Sequence, residues 1–89
     1  MMAVYLVTYD LHKPGNNYTE ILEQIKKYGW AKLSESSYAI STTETATAAY
    51  KRIHAKVDAN DTLYVISLRT PWNGRGPKAV NDWLDKNLE

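Results

Sequence analysis

Ala3-Val4-Tyr5-Leu6-Val7-Thr8-Tyr9, followed at once by Asp10-Leu11-His12-Lys13-Pro14-Gly15-Asn16-Asn17, is the stretch that decides the fold. Its first seven residues are β-branched, aromatic or aliphatic and predict a strand, and the Pro, Gly and Asn cluster ends it. Beyond this turn, Tyr18, Ile21, Leu22, Ile25 and Tyr28 recur at helical spacing, with Asn16 or Asn17 placed to cap the helix and Gly29 to stop it. Residues 30–34 and 36–41 alternate as two short strands joined around Glu35. Ala46, Ala49, Tyr50, Ile53 and Val57 form a second helical stripe, capped by Thr42 or Thr43. Residues 62–68 give a fourth strand after the Asp58-Ala59-Asn60-Asp61 turn, and Ala79, Val80, Trp83, Leu84 and Leu88 suit a short closing helix.

This order predicts an α+β fold of the ferredoxin-like kind, β-α-β-β-α-β with one antiparallel sheet and a short C-terminal helix, as a single domain over residues 1–89. A sheet covered on one face has alternating strands, yet the first and fourth strands are apolar on both faces. Something must cover the second face. A second copy of the chain in a homodimer is the favoured cover, and the C-terminal helix the competing one.

Eleven basic and ten acidic residues nearly cancel, so any nucleic-acid site must be local rather than a general electrostatic coat. Cysteine is absent, which excludes disulfides, thiolate zinc sites and thiol nucleophiles. The apolar start is too short to span a bilayer and lacks the flanks of a signal peptide, so a cytoplasmic protein without membrane attachment is expected.

Two places hold candidate chemistry. Asp10 ends the first strand, and the expected topology sets it beside Ser36 at one end of the sheet. Two copies of Asp10 facing across a dimer axis would supply paired oxygen ligands for Mg²⁺, which activates water against a phosphodiester. The simpler role for Asp10 is to bond backbone amides in the turn. His12 and Lys13 lie in the same turn as candidates for a phosphate or base contact. His54 adjoins the apolar stripe of the second helix, where a surface role is expected.

The second place is the loop at residues 69–77, where Arg69 and Arg75 accompany Trp72, a combination that grips phosphate and stacks on bases. Trp72 folding back as a lid on the core is the competing account. Gly74-Arg75-Gly76 lacks the Gly-Lys-Ser/Thr ending of a phosphate loop, and no serine triad or HExxH motif is present.

Tyr5-Leu6-Val7-Thr8-Tyr9-Asp10-Leu11, Tyr28-Gly29 and Ser34-Glu35-Ser36-Ser37-Tyr38, in that order and spacing, resemble the CRISPR-associated Cas-two proteins. The run from Asp10 to Tyr18, the Asp58-Ala59-Asn60-Asp61 turn and Asp82-Trp83-Leu84 resemble the small SinR-like branch of that superfamily more closely. The resemblance spans nearly the whole chain and implies a ferredoxin-like fold, a homodimer, and either a metal-dependent nuclease or a structural bridging role. It carries the family's strand-end aspartate onto Asp10 and its hairpin serine onto Ser36. The chain departs from the CRISPR proteins in having no arginine from His12 to Glu23, and in a Trp72 loop and helix where they carry a swapped strand. The expected functions are therefore a Mg²⁺-dependent endonuclease on RNA or DNA using Asp10 and Ser36, or a non-catalytic dimeric adaptor holding nucleic acid or a protein partner through Trp72 and Arg75. Toxin-like ribonuclease action is a third.

Overall fold

The computed structural model describes residues 2–12 and 16–89. Its elements are β1 (Ala3–Asp10), α1 (Asn16–Ile25), β2 (Gly29–Ser34), β3 (Ser37–Thr42), α2 (Ala46–His54), β4 (Thr62–Ser67) and α3 (Lys78–Asn87). The strands form one sheet in the order β2-β3-β1-β4, and every pairing is antiparallel. The architecture is α+β, with the strands and helices in the order expected.

Alternation along β1 sorts its residues to two faces. Tyr5, Val7 and Tyr9 share one face with Ile40 and Tyr38 of β3 and with Val65 and Leu63 of β4, through the pairs Tyr5↔Ile40, Val7↔Tyr38, Val7↔Val65 and Tyr9↔Leu63. Ile21 and Ile25 of α1 and Ala49 and Ile53 of α2 close over them. Val7, Ile21, Ile25, Ile40 and Ile53 are fully buried. Each such side chain contributes roughly 1.5–3 kcal/mol of transfer free energy, so this face is the main source of stability.

The opposite face carries Val4, Leu6, Thr8 and Asp10 of β1, paired with Ser41, Ala39 and Ser37 of β3 and with Ile66, Tyr64 and Thr62 of β4. Here α3 supplies the cover: Leu84 and Leu88 pack on Val4 and Ala39, joined by Leu68, Trp72, Val80 and Trp83. The competing expectation thus holds for part of this face. Two backbone bonds hold the returning chain, Leu68 N–H to the Val4 carbonyl and Thr70 N–H to the Glu89 carbonyl, both 2.9 Å. The cover is incomplete, because Tyr64 and Ile66 on β4 stay 59% and 49% exposed beside half-buried Leu6. β1 is apolar on two covered faces, whereas β4, at the sheet edge, is covered on one.

Local signals differ from expectation at three points. The cap of α2 is Thr45, whose hydroxyl accepts from Ala48 N–H at 3.1 Å; Thr42 instead accepts from Glu44 N–H at 3.0 Å in the turn that leaves β3. α1 stops at Ile25, and tighter bonds from Lys27 N–H to the Gln24 carbonyl and from Tyr28 N–H to the Ile25 carbonyl finish it. Gly29 therefore opens β2 instead of ending the helix. A Cβ there would lie 2.6 Å from the Ser41 hydroxyl, so the close approach of β2 to β3 is what the glycine serves. Capping by Asn16 or Asn17 falls outside the described side chains.

Candidate functional site

At the end of β1 the register brings the predicted residues together. Tyr9 N–H donates to the Ser36 carbonyl at 3.0 Å, and Asp10 pairs with Thr62 of β4, so Asp10 and Ser36 occupy one end of the sheet. The side chain of Asp10 is exposed. His12 is exposed too, and its backbone N–H donates to Asp61 Oδ1 at 2.6 Å, while Asp61 Oδ2 accepts from Asp58 N–H at 2.8 Å. These two amides hold the Asp61 carboxyl below the usual carboxylate range. Asp61 thus ties the turn after β1 to the turn before β4. Lys13 lies outside the described residues.

Tyr9 also reaches this end, donating its hydroxyl to the Glu35 carbonyl at 3.3 Å. Burial, then the neighbouring Tyr38, Tyr18 and Glu35, push its phenol up to about 12, so it acts here as a neutral donor. Among the described residues no three His, Cys, Asp or Glu side chains gather to hold a metal. Asp61 spends both oxygens on amides, Glu35 pairs with Lys32 at 3.3 Å, and Asp58 is engaged as well.

The 69–77 loop builds a different site. It crosses the second face between β4 and α3 and encloses a cleft of about 350 Å³. Trp72 is half-buried against the Val4, Ala39, Leu84 and Leu88 cluster, and forms a wall of the cleft rather than a free platform. Leu84 and Leu88 give it an apolar floor, while Arg69, Arg75, Asn73 and Asn81 bring polar groups to the lining. Neither arginine has an ion-pair partner among the described residues, and both are exposed. The adjacent Lys78 is neutralised by Asp82 one turn along α3, at 2.7 Å. Trp72 thus packs back on the core as the lid account expects, and it also lines the cleft.

At the opposite end of the sheet from Asp10, Glu44 joins three elements. It accepts from the Tyr28 hydroxyl at 2.7 Å and pairs with Arg52, and its backbone carbonyl accepts from the Tyr5 hydroxyl at 2.7 Å. The Tyr28 bond, with help from Arg52, holds the Glu44 carboxyl below its ordinary value, and burial first, then the Glu44 bond, push the Tyr28 phenol to about 12. Every group here has a partner, which marks a structural junction. His54 is an exposed helix residue stacked on Tyr50, with ring centroids 5.1 Å apart, as its position predicted.

No protein-family model matches this chain. No helix among the described residues is long and apolar enough to cross a membrane. Sequence reasoning paired Trp72 with Arg75 but did not foresee that Asn81 and Leu88, from beyond the loop, would line the same cleft. The signal was available in the helical spacing of Val80, Leu84 and Leu88, which required that face of α3 to be covered.

Proposed function

We propose that this chain is a ferredoxin-like domain of the Cas-two-like, SinR-like kind that serves in the cytoplasm as a homodimeric adaptor, holding nucleic acid through the cleft between the 69–77 loop and α3. The strand order β2-β3-β1-β4, with α1 and α2 closing over one face, supports the ferredoxin-like part. The single observation that carries the binding part is the cleft: an apolar, Trp-walled space lined by two guanidiniums with no ion-pair partner among the described residues, in a molecule whose net charge is only +1. Exposed Tyr64 and Ile66 beside Leu6 support the dimer, since a second copy would remove that strip from water. A gel-shift series with single- and double-stranded RNA and DNA tests the reading. Arg69→Ala with Arg75→Ala should weaken binding at least tenfold and leave the dimer intact, and unchanged binding overturns it in favour of a protein partner.

A second reading is favoured by the position of Asp10. It lies on the same face of β1 as Leu6 and Thr8, in line with Ile66 and Tyr64 of β4. A dimer built on that strip would carry two Asp10 carboxylates at its rim, where Mg²⁺ would activate water against a phosphodiester, with Ser36 and His12 beside the phosphate. Comparing cleavage of RNA and DNA by wild type and Asp10→Ala with added Mg²⁺ decides this reading, and equal rates exclude Asp10.

A further inference from the structure

We propose that the cleft takes one nucleoside-phosphate unit, either a free mononucleotide or an unstacked nucleotide of a single strand, with its base against Trp72 and its phosphate at Arg69 and Arg75. This rests on the binding reading above and sharpens it, because a cleft of this kind selects an unpaired nucleotide over a duplex.

The volume, about 350 Å³, falls in the range of pockets that enclose one small ligand and is too small for a stacked run of bases. The lining separates into two chemistries. Trp72, Leu84 and Leu88 offer an indole wall and an aliphatic floor suited to a flat ring. Arg69 and Arg75 offer guanidiniums with no carboxylate partner among the described residues, each able to bind phosphate through two parallel N–H groups. A fatty acid would be served by the floor and one arginine, but it would leave the polar lining without use. Asn81 donates its amide N–H to the Gly76 carbonyl at 3.3 Å, and its own carbonyl oxygen accepts nothing among the described residues. Asn81 lines the cleft, and its amide oxygen is an acceptor of the kind that suits the exocyclic amine of a base.

A base enters such a cleft only after leaving its stack, which costs a few kcal/mol in a duplex and much less in a single strand. The preference for unpaired nucleotides follows from that difference.

The test uses the full chain with three probes: adenosine monophosphate, a fluorescein-labelled mixed-sequence single strand, and the duplex of the same sequence. Two variants act on different parts of the cleft. Gly76→Trp adds bulk at a lining position where a Cβ meets nothing within 4 Å, so the backbone accommodates it. Arg75→Ala removes an exposed, unpartnered charge and keeps the falsifying power if the first variant folds poorly. We expect wild type to bind the single strand at least tenfold more tightly than the duplex, with adenosine monophosphate competing. Gly76→Trp should abolish the preference, and Arg75→Ala should weaken mononucleotide and single strand together. Equal wild-type affinity for single strand and duplex, unchanged by Gly76→Trp, overturns the inference while leaving the adaptor reading in place. Binding of adenosine monophosphate without any strand upholds the cleft and overturns the adaptor. Absence of binding to all three probes overturns both, as does displacement by lauric acid but not by the mononucleotide.

Discussion

The two faces of the sheet are built to different standards. The face under α1 and α2 holds all five of the largest fully buried side chains, and the Tyr5, Tyr9 and Tyr28 hydroxyls along its margins have acceptors. The face under α3 is closed over Val4 and Ala39 but open over Tyr64 and Ile66, and its covering loop lines a cleft with two arginines that have no ion-pair partner among the described residues. Exposed apolar residues, and guanidiniums with no ion-pair partner among the described residues, have free energy to gain on binding. The first face carries the larger core, and recognition is proposed for the second.

The largest test of this division is in the core. Ile53→Ala, under α2, should cost about 2–5 kcal/mol in urea unfolding, because the cavity is enclosed on all sides. Leu84→Ala, at 8% exposure on the second face, should cost less, since the neighbouring cleft lets the site relax. Equal losses would mean that the faces are packed alike. Next, Ile66→Lys should leave unfolding of the single chain within about 0.5 kcal/mol of wild type, as an exposed substitution does, while shifting sedimentation equilibrium to monomer. Loss of stability without dissociation would place Ile66 in the core of one chain.

A smaller effect separates the two ends of the sheet by pH. The Asp61 and Glu44 carboxyls are held low in the folded state, so each adds stability above its unfolded value near 4 that disappears as pH falls through the folded value. The gap in urea midpoint between wild type and Asp61→Asn should therefore be widest near pH ~7 and close on acidification, and likewise for Glu44→Gln. A gap that does not change with pH would mean that these carboxyls act by shape alone. Smallest of all, Arg75→Ala should leave the unfolding free energy within about 0.5 kcal/mol of wild type, because the exposed side chain has no ion-pair partner among the described residues.

The first face was legible in the sequence because its periods are simple. Tyr5, Val7 and Tyr9 alternate, and Ile21 with Ile25 and Ala49 with Ile53 repeat every four residues, so the core could be named without knowing how the chain turns. The double-faced apolar character of β1 also announced a second cover correctly. What the sequence left open was which cover, since docking α3 depends on the path of the 69–77 loop and on bonds such as Thr70 N–H to the Glu89 carbonyl, between residues with no periodic relation. Caps were misplaced for a related reason: Thr42, Thr43 and Thr45 are alike in type, and only the exit direction of β3 decides that Thr45 caps while Thr42 turns. The Asp10 and Ser36 end followed from antiparallel register. The cleft did not, because Arg69, Trp72, Arg75 and Asn81 meet only once the loop has folded onto the helix.

The most direct measurement is a backbone-amide NMR titration of the labelled protein with a short single strand. Shifts concentrated at residues 69–81, with the α1 and α2 face unmoved, are the predicted result. Shifts confined to the Asp10 and Ser36 end, or to α1 and α2, would contradict the assignment of recognition to the α3 cleft.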